Sequence, residues 1–234
     1  MFGPERRFRA ARLWSNEEIR RLAPLFDGDV VNVSGWDDRD KAGSTYQTYF
    51  TAAKSYSITN YQGESGFQGA PGEIPLDLES PLDQTLEGRF DLAFNHTTLE
   101  HVFDVFTAFE NICRMTRDAV MFVVPFAQVE HYTSSFGDYW RFTPQAAKRL
   151  CEKNGLAVVY QAVNTDPGGA IYVLTVGSKQ PERWRGRLPE TRIPSHSGEW
   201  IGAPGPVERV IGGARNGLRR LVKGEAPAEP ELPG

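Results

Sequence analysis

Ala119-Val-Met-Phe-Val-Val124 is an unbroken apolar run of strand length. A strand without polar alternation is buried on both faces, so it belongs inside a sheet covered on both sides by other layers. The residues before it are helical: Leu99, Val102, Phe103, Phe106, Phe109, Ile112 and Cys113 recur at three- and four-residue spacing and define one helix face. Thr97-Thr-Leu-Glu100 reads as the box that caps this helix. Ser15-Asn-Glu-Glu18 is a second such box and predicts a helix over about 16–25, with Ile19, Leu22 and Leu25 inward. Short strands are predicted at Asp29–Ser34, Ser55–Thr59 and Phe90–Phe94, with a weak one near Glu73–Leu78. Thr143-Pro144 opens another helix and Gly155 closes it. Leu156–Val163 and Ala170–Val176, joined by Thr165-Asp-Pro-Gly-Gly169, read as an antiparallel pair. The alternation predicts an α/β fold with a mostly parallel sheet and a terminal antiparallel hairpin.

The apolar run ends at Phe126, far short of the roughly 20 residues a spanning helix needs. Two cysteines, Cys113 and Cys151, make neither a disulfide framework nor a zinc site. The opening Met-Phe-Gly-Pro-Glu-Arg-Arg has no apolar leader core, so a reducing cytoplasm is the expectation. Charge divides the chain in two. Residues 179–234 carry 10 Lys/Arg against 7 Asp/Glu, leaving 16 against 23 for residues 1–178. An acidic body argues against an enzyme that holds nucleic acid by bulk charge. Eight of the 16 prolines also lie after residue 178, which marks residues 1–178 as the domain and 179–234 as a tail, with 179–205 expected to run over the surface or extend away without regular structure. One apolar stripe, over 207–222, interrupts that tail. It needs a surface: the acidic body or a second copy suits its basic flanks, making it a candidate homo-oligomer contact. An anionic membrane suits it less, because the stripe has no bulky aromatics.

Open α/β sheets bind ligands beyond the carboxyl ends of their strands. Ser34-Gly35-Trp36 follow the first strand, Asn60 the second, Asp77-Leu78 the third and Asn95-His96 the fourth. The fifth runs into Pro125-Phe-Ala-Gln-Val-Glu-His131-Tyr132, and Gly137-Asp138-Tyr139-Trp140-Arg141 comes shortly after. Long ordered loops at such ends are more often functional than decorative.

Phe90-Asp-Leu-Ala-Phe-Asn-His-Thr-Thr-Leu-Glu-His101 resembles the fourth-strand motif of class I S-adenosylmethionine-dependent methyltransferases, and Asp118–Pro125 is similar to their fifth strand. His131 with Asp138-Tyr-Trp-Arg-Phe-Thr-Pro144 resembles a subgroup common among saccharide O-methyltransferases of polysaccharide biosynthesis. The resemblance spans about residues 25–178 and implies a Rossmann-like fold, a seven-stranded sheet and S-adenosyl-L-methionine as cofactor. Ser34, Gly35, Trp36, Asn60, Asp77, Leu78 and Asn95 are then the expected cofactor contacts. Where the family carries an acid followed by G-x-G-x-G, this chain reads Asn32-Val-Ser-Gly-Trp-Asp-Asp38. That departure motivates the rival reading, a non-catalytic binding or regulatory protein on the same fold. A methyltransferase of a non-sugar small molecule is the third.

A sugar hydroxyl is a poor nucleophile at neutral pH, so the protein must align it and help remove its proton. Histidine suits that transfer. His131 is the first candidate and His96 the second, with Asp138 beside His131 in sequence order. Tyr132, Tyr139 and Trp140 are candidates to pack on an acceptor ring, and Arg141 to bind its polar groups or Asp138. Glu130 and Asp138 holding a divalent ion is the less favoured alternative, because no close ligand pair is visible.

Overall fold

The computed structural model describes residues 4–62, 66–164 and 170–192, with backbone alone over 4–8. The expected turn at 165–169 and stripe at 207–222 lie outside them.

Seven strands form one sheet: β1 (Asp29–Val33), β2 (Ser55–Asn60), β3 (Glu73–Pro75), β4 (Phe90–His96), β5 (Thr116–Ala127), β6 (Ala157–Val163) and β7 (Ile171–Ser178). Their order is β3-β2-β1-β4-β5-β7-β6. The first five pair in parallel, while β7 lies antiparallel to both β5 and β6. Strand β5 is buried on both faces, as its composition demands. Val120, Phe122 and Val124 join the core under helices α2 (Val105–Met115) and α3 (Pro144–Lys153). Ala119, Met121 and Val123 face the opposite core, with Ile19 and Leu22 of α1 (Pro4–Leu22). The two-residue period of the strand thus sends alternate side chains into two separate cores.

Two helix starts differ from expectation. Helix α1 runs through Ser15, which is an interior residue and not a cap: its Oγ donates back to the Arg12 carbonyl at 2.9 Å. Pro4 and a run of good helix formers start the helix a dozen residues earlier. Glu18 therefore does not close a box; its carboxylate accepts from Tyr160 at 2.7 Å and from Arg21 and Arg192. Likewise Thr97–Glu100 does not cap α2. Leu99–His101 form a single 3-10 turn, and Asp104 caps α2 by accepting from the Thr107 amide at 3.1 Å. Phe103 and Phe106, read as part of the inward face, are exposed. The expected helix over 143–155 is found as α3, with Thr143 Oγ1 accepting from the Ala146 amide and Gly155 at φ 73° after its end.

Residues 179–192, expected to run over the surface or extend away without regular structure, pack on the body and include a short helix. Helix α4 (Pro181–Trp184) seats Trp184 at 3% exposure against Phe26. The buried carboxylate of Asp118, at the start of β5, accepts from Trp184 Nε1 (3.1 Å), Arg183 and Ser178. Farther on, the Val163 amide donates to the Arg192 carbonyl and the Arg192 amide to Gln161. Ser178, at the end of β7, supplies one of these donors, and α4 supplies the other two. Among the described residues, no helix is long and apolar enough to cross a membrane.

Candidate active site at the strand ends

The carboxyl end of β1 turns on three left-handed residues. Ser34, Trp36 and Asp38 have φ of 54°, 48° and 61°. Their spacing is that of the three glycines in the expected G-x-G-x-G loop, and here side chains stand at those positions. Each non-glycine residue in this region costs about 1–2 kcal/mol. Hydrogen bonds hold it there. Trp36 donates its amide to Asn60 Oδ1 at 2.6 Å and accepts from Asn60 Nδ2, while the Gly35 amide donates to the Thr59 carbonyl. Asp38 is buried, and its carboxylate accepts from Asn32 Nδ2, the Tyr56 hydroxyl and the Gln47 amide. A Cβ on Gly35 would stand 2.5 Å from the Asn32 amide, so only glycine fits between the loop and β1.

At the end of β4, Asn95 is fully buried, donates to the Val33 carbonyl at 2.8 Å, and leaves Oδ1 with no hydrogen-bond partner among the described residues. His96 next to it is engaged at both nitrogens, Nδ1 by Arg12 (2.9 Å) and Thr97, Nε2 by Ser15 Oγ (2.9 Å). Tyr46 stacks on its ring. Burial, then the Arg12 and Lys41 charges, hold its pKa well below the usual histidine value, so it is neutral. Asp77 serves its own turn, accepting from the Glu79 amide and Ser80 Oγ, and Leu78 is buried in the core beside Leu82 and Leu86.

The loop after β5 is strapped to the turn after β4. His101 Nδ1 donates to the Gly137 carbonyl at 2.6 Å, and the Tyr139 and Trp140 amides donate to the Glu100 carbonyl at 2.7 and 3.3 Å. Trp140 Nε1 reaches the Val102 and Phe103 carbonyls. The indole is thus committed to the strap, whereas Tyr132 and Tyr139 are exposed. Asp138 has an enclosed carboxylate bound by Arg141 Nη1 (2.6 Å), Arg141 Nη2 (2.7 Å) and the His131 amide (2.7 Å). Burial opposes its ionisation, but the bonds to Arg141 and His131 prevail and bring its pKa down to about 2. Asp138 Oδ2 also lies 3.4 Å from His131 Nδ1. Gln128 meets the same nitrogen at 2.9 Å, and its Oε1 has no partner among the described residues. Turning that amide by half a turn gives Oε1 a donor and places the proton on Nδ1, as the adjacent carboxylate favours; the ring's lone pair is then on Nε2. Glu130, Tyr132 and Ser135–Asp138 line an open cleft of about 630 Å³ here.

The structure brings Ser34, Gly35, Trp36, Asn60 and Asn95 to one end of the sheet, and His131, Asp138, Tyr139, Trp140 and Arg141 into one loop. Sequence reasoning missed Arg12, Ser15 and Tyr46, which close over His96 from distant positions. It also missed Glu100. Among the described residues no group of three or more His, Cys, Asp or Glu could hold a metal ion.

No family model and no curated protein matches this sequence. The likeness is in three dimensions. A Burkholderia thailandensis 1,6-didemethyltoxoflavin-N1-methyltransferase, crystallised with S-adenosylhomocysteine, matches with a TM-score of 0.50 at 19% identity, over 76% of this chain and 91% of that one. The magnesium protoporphyrin IX methyltransferase of Synechocystis matches with a TM-score of 0.52 at 8% identity, over 76% and 88%. The fold is the Rossmann-like class I methyltransferase fold, as the sequence led one to expect.

Proposed function

We propose that the chain is an S-adenosylmethionine-dependent O-methyltransferase whose acceptor is a saccharide hydroxyl. The observation that carries the cofactor reading is the left-handed triplet Ser34, Trp36 and Asp38: three non-glycine residues adopt a conformation that suits glycine, at the spacing of the glycines in the expected cofactor loop. Asn95 Oδ1 fits as well, a buried acceptor aimed at no protein donor. Ser34, Gly35, Trp36, Asn60 and Asn95 are the residues proposed to hold the cofactor; Asp77 and Leu78 would meet it only from a turn already bonded within itself. S-adenosylmethionine supplies an activated methyl group. The protein's own work is alignment and removal of one proton. His131, steered by Asp138 and Gln128, accepts that proton at Nε2, while the exposed ring of Tyr139 and Tyr132 gives the acceptor a face to pack against. His96 serves the architecture, since both its nitrogens are taken.

Titration with S-adenosylhomocysteine tests the reading: binding by calorimetry and a raised melting temperature are expected. Trp36 and Asp38 put bulk where the family has glycine, and this favours the second reading, a non-catalytic binding protein. Absence of binding would decide for it. Methyl transfer to small phenols but not to glycosides would redirect the acceptor to a non-sugar small molecule.

A further inference from the structure

Glu100 is the least satisfied charged group of the described residues. It is 1% exposed, and neither carboxylate oxygen has a hydrogen-bond partner among them. The nearest ring nitrogen, His101 Nε2, stands 3.8 Å away, beyond hydrogen-bond reach. Nothing in the fold requires a carboxyl here: α2 is capped by Asp104, and the turn uses only the Glu100 carbonyl, which receives the Tyr139 and Trp140 amides. Buried polar groups are ordinarily paired, so an orphan of this size calls for an explanation.

The surroundings say what would satisfy it. Glu100 stands in the turn after β4, and its carbonyl takes the Tyr139 and Trp140 amides, so it lies between the β4 end and the strap. The Glu100 carboxyl offers two open oxygens and at most one hydrogen, which disfavours an anionic or carbonyl-rich guest. An ammonium guest is disfavoured by Arg12, whose hydrogen bonds among the described residues go to His96, Tyr46 and Thr97 and to no carboxylate. Neutral hydroxyls remain.

We propose that Glu100 is the anchoring element of the acceptor site and binds adjacent hydroxyls of a neutral polyol under the strap of Gly137–Trp140. The inference rests on the methyltransferase reading and narrows it to donor-rich acceptors. Burial pushes the Glu100 pKa up to about 8, so near pH 7 the free protein holds the proton. Hydroxyl donors favour the ionised carboxylate, and binding must therefore release a proton.

The test uses the full chain, saturated with S-adenosylhomocysteine, titrated at pH 7 with methyl glycosides of glucose, galactose, mannose and rhamnose. Calorimetry in two buffers of different ionisation heat reads the proton. Release on binding of at least one glycoside is expected, with Glu100→Gln binding it at least tenfold more weakly, without proton release, and holding S-adenosylhomocysteine as tightly as before. Glycoside binding without proton release, or equal in Glu100→Gln, overturns the proposal and leaves water as the carboxyl's partner. Binding of S-adenosylhomocysteine but of no glycoside overturns it while the cofactor reading stands. Failure to bind S-adenosylhomocysteine brings down both. Should Glu100→Gln not fold, proton release by the unaltered protein, measured from pH 6 to 9 and vanishing above the Glu100 pKa, decides alone.

Discussion

Arg141 grips Asp138 with both terminal nitrogens, 2.6 Å to Oδ1 and 2.7 Å to Oδ2, three residues away in the same loop. The pair fixes the loop's form, because Asp138 also takes the His131 amide. Removing the cation leaves an enclosed carboxylate behind. Arg141→Met is expected to destabilise the protein by about 3 kcal/mol, read by urea unfolding. A loss below about 0.5 kcal/mol would show that the loop does not depend on the pair.

The same group sets a pH dependence. The folded pKa of Asp138 is depressed to about 2, below its ordinary value near 4. Its contribution is therefore complete above the ordinary value and disappears as pH falls from about 4 to 2, amounting to about 2–3 kcal/mol. Unfolding curves for the protein and for Asp138→Asn are expected to converge as pH falls through that window. Parallel curves would refute it.

His131→Ala is expected to cut turnover by about a hundredfold or more with S-adenosylhomocysteine affinity unchanged. His96→Ala should instead lower stability, since it strips partners from Arg12 and Ser15. The opposite pattern, with turnover lost only in the His96 variant, would exchange the two roles.

Trp36 lies in a left-handed backbone at φ 48°, where glycine is at ease and alanine is not. Trp36→Gly is expected to be more stable than Trp36→Ala by about 1 kcal/mol, or roughly 2–4 °C in melting temperature. Equal melting of the two variants would show that the loop relaxes out of this conformation.

Truncation after Ser178 should destabilise the protein by several kcal/mol, because Asp118 loses Trp184 and Arg183 and Phe26 loses its aromatic cover. The reference is the chain cut after Arg192, so that residues 193–234 are absent from both forms. If the shorter form melts with the longer one, residues 179–192 are dispensable.

Strands were legible wherever composition is local and one-sided. Ala119–Val124 had no reading except a doubly buried strand, and Thr143-Pro144 with Gly155 bracketed α3 to within a residue or two. Caps misled where a polar side chain had a tertiary partner. Ser15 and Glu18 satisfy the spacing of a box, yet they bond to His96 and to Tyr160, 81 and 142 residues away. Glu100 reads as a cap by the same rule, which hid that its carboxyl has no hydrogen-bond partner among the described residues. The left-handed loop could not be seen because Ser, Trp and Asp do not announce φ > 0 as glycine does. Arg12 was invisible for the reason that applies to most of the site: its neighbours are set by topology, not by spacing.

Strand β7 is the last of the seven in the chain, yet it lies between β5 and β6. Until residues 171–178 leave the ribosome, the long apolar edge of β5 has no neighbour on that side, and a bare edge of this kind pairs with whatever strand it meets. The sheet closes only by insertion of its final segment, a contact of long sequence separation that forms late. Chains cut short before Ile171 are thus expected as insoluble material, and the sheet is most vulnerable until β7 has been made.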